Sequence, residues 1–431
     1  MTTQTIARTH PLRPWDYFTL NAYWFAISFM WNSMAPLLLP TLVQQVVPQS
    51  QKGSALGALS AIGLIIATIV QPVAGAWTDA RTTRWGKRRP YIVGGTLFDV
   101  IFLLMMVFSG NYIVLLVAYA LLQISSNVAH GPYQGYIPEL VPEDRRGTVT
   151  GVKQFLEILG IIVTSLLVGR MVDQGQLVLA FGLIIAFLLI TMAITAFFVN
   201  EQPFDGATPS TQTLKPKETW SLRTFFHSRD FFLWLVSRLL ILVGVNLVRN
   251  YILYFLNDVL RLPNAATEAG NLLAILGVAV AIVVYPSGAL SDRLGRKLLI
   301  VISGILGVIG SLLLLTATTL TMVLVAGTVV GVSIGIFLTV NWAWGADLIP
   351  ADEGGRFLGI SNIATAGAGV IAGAGGGMLD FFNHQSPNLG YTALYLTAAI
   401  CYGIGTLIVL GVKDSRRKPA ATRPSPSAES A

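Results

Sequence analysis

The chain has 431 residues, 54% of them apolar and only 11% charged, with a formal net charge of +7. Soluble domains carry about 25% charged residues, so this composition excludes a water-soluble globule and places the chain in a lipid bilayer. The positive balance does not point to nucleic acid, because Lys and Arg lie almost wholly between the apolar runs.

A spanning helix needs about 20 apolar residues. After a polar N-terminal segment, 1–16, the runs 17–43, 53–79, 90–110, 111–138, 148–172 and 177–199 meet that length. Residues 200–229, with Pro203, Pro216 and mixed charge, read as a cytoplasmic linker. Six more runs follow at 230–256, 267–290, 297–317, 321–348, 356–380 and 390–412, and 413–431 reads as a disordered cytoplasmic tail. The first run is too long for a removable signal peptide and has no small-residue cleavage site, so it is expected to stay in the membrane. The predicted fold is all-α, with twelve transmembrane helices in two six-helix halves.

The side of the membrane that would hold both termini collects 22 Lys and Arg residues, against three (Lys52, Arg170 and Arg261) on the other. Positive loops stay inside, so both termini are expected in the cytoplasm of a multi-pass cell-membrane protein. The single Cys401 excludes an intramolecular disulfide.

The halves repeat. GAWTDARTTRWGKRR has a counterpart in GALSDRLGRK, with Gly288 and Asp292 lying 213 residues after Gly75 and Asp79; ELVPEDRRGTVTG from Glu139 matches DLIPADEGGRFLG from Asp347, 208 residues on. Two markers in the same order indicate an internal duplication, the architecture of a transporter whose substrate binds between parallel repeats.

Gly75, Asp79, Gly86, Lys87 and Arg88, and again Gly288, Asp292, Arg293, Gly295, Arg296 and Lys297, together resemble the loop signature of the major facilitator superfamily. The resemblance implies a gate: the Gly lets helices approach closely, and the Asp caps a neighbouring helix and engages Arg, holding the cytoplasmic side shut. The longer stretches Gln71–Gly95, ending in RWGKRRP, and Asn127–Leu140 resemble the sucrose/proton symporters and the glycoside-pentoside-hexuronide:cation symporter group. That implies cation-coupled symport, with a proton or sodium ion, of a sugar or glycoside. Where the sucrose symporters carry an Asp and an Arg on the fourth helix, this chain has the uncharged Gln123 and Gln134.

Polar groups that persist inside hydrocarbon are functional candidates, weighed against interhelical hydrogen bonding. Gln123, Asn127, His130 and Gln134 recur on one face of the fourth run and suit a hydroxylated solute. Trp24 and Trp31, seven apart, and Asn341 with Trp344 add aromatic and amide candidates for stacking on a sugar ring. Lys153 and Glu157 lie four apart, either as a structural lock or as a titrating pair. Asp99 either binds the coupling ion or pairs with Lys153, Arg238 or His130. Arg238 and Arg249, eleven apart, favour an anionic substrate if they face the cavity, and are structural if an acid pairs them.

No catalytic centre, metal cluster, ATP-binding loop or cofactor is expected, so the chain is not read as an enzyme. The expected partners are a small-molecule substrate with its ion and the bilayer, and the expected functional unit is a monomer. A proton-driven exporter of an amphiphilic or anionic molecule, and a non-transporting membrane sensor, are the competing readings.

Overall fold

The structure is a computed structural model that describes residues 13–79, 83–142, 145–199, 201, 229–348 and 354–413. Twelve long helical elements cross in succession: α1 (Pro14–Val46), α2 (Lys52–Asp79), α3 (Arg89–Val107), α4 (Tyr112–Gln134), α5 (Arg146–Asp173), α6 (Leu177–Phe198), α7 (Arg229–Asp258), α8 (Ala265–Leu294), α9 (Arg296–Leu315), α10 (Leu320–Asp347), α11 (Gly354–Gln385) and α12 (Leu389–Leu410). Among the described residues eleven of these are long and apolar enough to cross a membrane by composition. The twelfth, α11, has 32 residues and packs along α2 and α7. The helix ends lie within five residues of the sequence spans, the largest departure being α11, which runs on to Gln385, and two departures have a clear physical origin. The fourth run ends at Gln134, four residues early, because Pro132 and Gly135 interrupt it before the short helix Tyr136–Leu140. The first is a composite, in which Met34–Leu38 form a π-turn around Pro36. Most of the linker at 200–229, the tail beyond Lys413 and residues 1–12 lie outside the described residues.

The helices α1 to α6 and α7 to α12 form two halves related by the sequence repeat. Gly86 and Gly295, one in each copy of the loop signature, take φ of +112° and +96°, a region open to glycine and strained for other residues.

The halves meet chiefly at the end away from the termini, here called the distal end. There α2 crosses α11 with almost no side chain between them: a Cβ on Gly57 would strike the carbonyl of Gly373, and one on Gly376 that of Gly53. On the opposite flank, α5 meets α8 in the same way through Gly169 against Ala266 and Gly270 against Ser165. Small residues that let backbones touch are the usual glue of membrane helices.

Carboxylates clamp the same end. Asp380 of α11 accepts from the backbone amides of Gly53 and Ser54 at 3.0 and 2.6 Å, capping α2. Asp173 of α5 accepts from Ala266 and Thr267 at 3.1 and 2.7 Å, capping α8. Asp173 and Asp380 are 207 residues apart and the amides they cap 213 apart, so the two clamps are copies of one device. A third carboxylate, Asp258 of α7, accepts from Lys52 at 2.6 Å, Gln49 at 3.2 Å and the Tyr391 hydroxyl at 2.5 Å.

An N-terminal cap contributes about 1 kcal/mol, more when the acceptor is charged. Asp380→Asn or Asp173→Asn should therefore loosen the distal end. We expect each to raise several-fold the rate at which an impermeant maleimide labels a cysteine placed at Ser54 or Thr267 on the flank concerned; an unchanged rate would show that the caps do not hold the halves together.

Candidate functional site

Nearer the terminal end each half carries a polar cluster on corresponding helices. In the first half the Trp24 ring of α1 stands edge-on to His130 of α4, 5.0 Å between centroids, and the Lys153 ammonium of α5 lies 3.9 Å over the Trp24 ring. Lys153 also reaches Glu157 at 3.5 Å. His130 contacts the Gln71 amide of α2 at 3.4 Å through Nδ1 and the Gln134 amide at 3.2 Å through Nε2. The Ser28 hydroxyl donates to the Glu157 carbonyl at 2.7 Å, tying α1 to α5 beneath the cluster. Lys153 and Glu157 are both half-buried, so the pair is held within reach of a solute.

In the second half, Arg238 of α7 donates to the Asn341 carbonyl oxygen of α10 at 2.5 Å and to the Thr365 hydroxyl of α11 at 3.2 Å. Its guanidinium carbon sits 5.3 Å from the Trp342 ring and 5.8 Å from that of Trp234, a cation–π setting. Arg238 Nε, Asn341 Nδ2 and the Ser361 hydroxyl are buried with no hydrogen-bond partner among the described residues. Ser361 and Thr365 lie 208 residues after Lys153 and Glu157, the offset that relates Glu139 to Asp347. The two clusters are thus equivalent stations of the repeat, one with a Lys/Glu pair and the other with an Arg and two hydroxyls. Arg249, three turns beyond Arg238 on the same face, donates to Asn32 of α1 at 2.8 Å, so this face of α7 is turned to the first half.

The family model of the Major Facilitator Superfamily matches residues 17–374 and, in a second match, 264–430. The chain belongs to the Major Facilitator Superfamily. It is 25% identical to sucrose transport protein SUC3 of Arabidopsis thaliana over 34% of this chain and 31% of that protein. It is 26% identical to the lactose permease of Leuconostoc lactis over 59% of this chain and 43% of that protein. The match therefore spans less than half the length of either relative. A solved D-xylose-proton symporter superposes with a TM-score of 0.72 over 93% of this chain and 98% of that one, at 18% identity, a likeness of fold.

Among the described residues, the superfamily signature loops make ion pairs and hydrogen bonds within their own half. A Cβ on Gly75 would meet nothing within 4 Å, and one on Gly288 only Thr339 of its own half. Backbone-to-backbone approach between the halves is made by Gly53, Gly57, Gly373 and Gly376 at the distal end. The Asp79 side chain and the neighbourhood of Asp347 lie outside the described residues. Lys87 and Arg88 bind Glu139 of their own half, at 2.7 and 2.6 Å, and the Arg88 and Arg89 amides donate to Glu201. In the second copy Asp292 faces solvent and pairs with Arg296 at 3.2 Å, Lys297 donates to the Leu410 carbonyl at 2.6 Å, and Arg293 is exposed.

Other candidates are buried away from the two clusters. Gln123 donates to the Tyr119 hydroxyl at 2.9 Å and Asn127 to the Gln123 carbonyl at 2.7 Å, so the deep part of the α4 stripe bonds to itself while His130 and Gln134 emerge from it. Asp99 of α3 accepts from the Ser125 hydroxyl, not from Lys153, Arg238 or His130. Trp344 is buried and Trp31 half-buried. Sequence reasoning passed over Gln71, Ser361 and Thr365; the last two were accessible from the 208-residue offset.

Burial of Glu139 opposes its ionisation, but hydrogen bonds and charge from Arg88 and Lys87 outweigh this and hold its carboxyl below the usual range. A depressed acid stabilises above its ordinary value near pH 4.3 and loses that contribution as pH falls through the lowered one. The tie between the 83–88 loop and Glu139 should thus persist at pH 5 and weaken below about pH 4. Proteolysis at the loop, accelerating only below that point in the wild type and already fast at pH 7 in Glu139→Gln, would check this.

Proposed function

We propose that the chain is a secondary active transporter working by alternating access, a cation-coupled symporter of a sugar or glycoside, and that the structure is its inward-facing state. The observation that carries this is the pair of equivalent polar clusters, Trp24/His130/Lys153/Glu157 and Arg238/Asn341/Thr365. They lie at similar depth on two halves whose clamps among the described residues are at the distal end. Aromatic faces, amides and an imidazole suit a ring bearing hydroxyls. The 22-to-3 distribution of Lys and Arg puts the termini and the unclamped end in the cytoplasm. The likeness to sucrose and lactose transporters supports the sugar assignment.

Alternating access requires bonds that one state makes and the other breaks. The Asp173, Asp258 and Asp380 contacts are the inward-facing set; the signature loops supply the outward-facing one. Coupling falls to Glu157, the acid of the Lys153/Glu157 pair. A proton or sodium ion on Glu157 releases Lys153 onto Trp24 alone and alters the wall the solute meets.

In proteoliposomes, Glu157→Gln should keep substrate counterflow within a few-fold of wild type and lose accumulation driven by a proton or sodium gradient. Full gradient-driven accumulation by Glu157→Gln would remove Glu157 from coupling, and wild-type uptake indifferent to both gradients would overturn symport.

A further inference from the structure

A cavity of about 360 Å³ opens at the distal face, between the two halves and away from the polar clusters. Gln49, Ser50 and Lys52 of the first half line one side, and Asp258, Asp380 and Asn383 of the second line the other. His384 and Asn388 complete it, and these two are exposed together with Gln49 and Ser50, so the space is open to solvent. Ligand sites begin at about 300 Å³, which suits this one to a single sugar ring or a short polyol.

The acids of the lining are already matched. The Lys52 ammonium donates to both Asp258 oxygens, at 2.7 and 2.6 Å. Asp380 lies on the N-terminus of α2 and accepts from the Gly53 and Ser54 amides, where the helix dipole offsets its charge. The remaining bonding capacity is uncharged. Gln49 spends its amide nitrogen on Asp258 at 3.2 Å, which leaves its oxygen as an acceptor; Asn383 spends its oxygen on the Gly390 amide at 2.9 Å, which leaves its nitrogen as a donor. Ser50, Asn388 and His384 add a hydroxyl, an amide and an imidazole. Such a mixture of donors and acceptors matches hydroxyl groups, which do both. The capping device itself does not call for this lining. On the other flank, the residue 213 after Lys52 is Ala265 and the residue 207 before His384 is Leu177, and Asp173 caps α8 beside them.

We propose that this cavity binds a small neutral polyol or sugar at the outer face, and that the occupant, bonded to both halves, holds the distal end closed. The site lies beyond the transporter reading and rests on it for one consequence: an occupant that requires the halves together favours the inward-facing state and slows the return from it. Ligand and clamps are then linked, and weakening either weakens the other.

The test is modification of Ser50→Cys by an impermeant maleimide in the full-length, detergent-purified protein at pH 7, with Cys401→Ser as background. The probes are glucose and sorbitol, with gluconate and N-methylglucamine as anionic and cationic counterparts of sorbitol. Glucose and sorbitol should slow labelling several-fold and saturably, and the charged pair should not. Gln174→Cys, exposed at the distal end of the other flank, should label at the same rate with and without them. His384→Leu combined with Asn383→Ala should remove the protection. Asp173→Asn, which loosens the far flank without lining the cavity, should weaken it. Should a variant fail to fold, the comparisons of Ser50 with Gln174 and of neutral with charged probes still decide. No protection at Ser50, equal protection at Gln174, or equal protection by the charged probes overturns the site. Protection unchanged by Asp173→Asn overturns its hold on the halves. Protection in a protein that moves no solute in proteoliposomes keeps the site and overturns the transporter reading.

Discussion

Two carboxylates, Asp173 and Asp380, each holding the first amides of a helix in the other half, fix how far the halves of this protein can part. The glycine crossings beneath them bring backbones into contact but gain only dispersion from it, and in lipid that drive is weak. A carboxylate on a helix N-terminus adds charge-assisted hydrogen bonds and a favourable dipole, and both survive at an aqueous membrane surface. The two polar clusters lie below the clamps, on the corresponding helices of the two halves.

The interior charges are distributed unequally between the halves, and that asymmetry is chemically informative. Duplication gave both halves the same stations on the first, fourth and fifth helices of each. One half filled them with a Lys, a Glu and a His, a set that can exchange a cation while remaining close to neutral. The other filled them with an Arg, an amide and two hydroxyls, a set that carries a fixed positive charge and no acid. A symmetric scaffold thus carries two chemically different polar surfaces at equivalent positions.

Much of this fold could be read from the sequence, because apolar length, the Lys and Arg distribution and the loop repeats are all local or periodic signals. The Lys153/Glu157 pair was legible for the same reason: a spacing of four on a helix leaves little choice. Arg238 with Asn341 was not, since their contact spans 103 residues and depends on how α7 and α10 pack. The α4 stripe shows the limit of periodicity. Four polar residues share a face, yet that face passes from a packed contact with Tyr119 at Gln123 to an open one at Gln134. The distal acids escaped notice because they sit at helix ends, where an Asp is also an ordinary solvated residue. Only their partners in the other half, more than 90 residues away, give them a role.

The π-turn in α1 gains meaning from what lies on either side of it. Pro36 cannot donate to the carbonyl of Asn32, and Leu39 reaches back five residues to Met34 instead. Before this irregularity, Ser28 binds α1 to α5 of its own half; after it, the Pro40 carbonyl accepts from Tyr254 of the other half at 3.1 Å. The helix therefore changes partners across a soft joint, its first segment tied to α5 and, through Asn32, to Arg249, and its last to Tyr254. In the alternating-access cycle proposed above, a rotation of the halves would be taken up in a few backbone torsions at this joint, leaving the rods on either side straight.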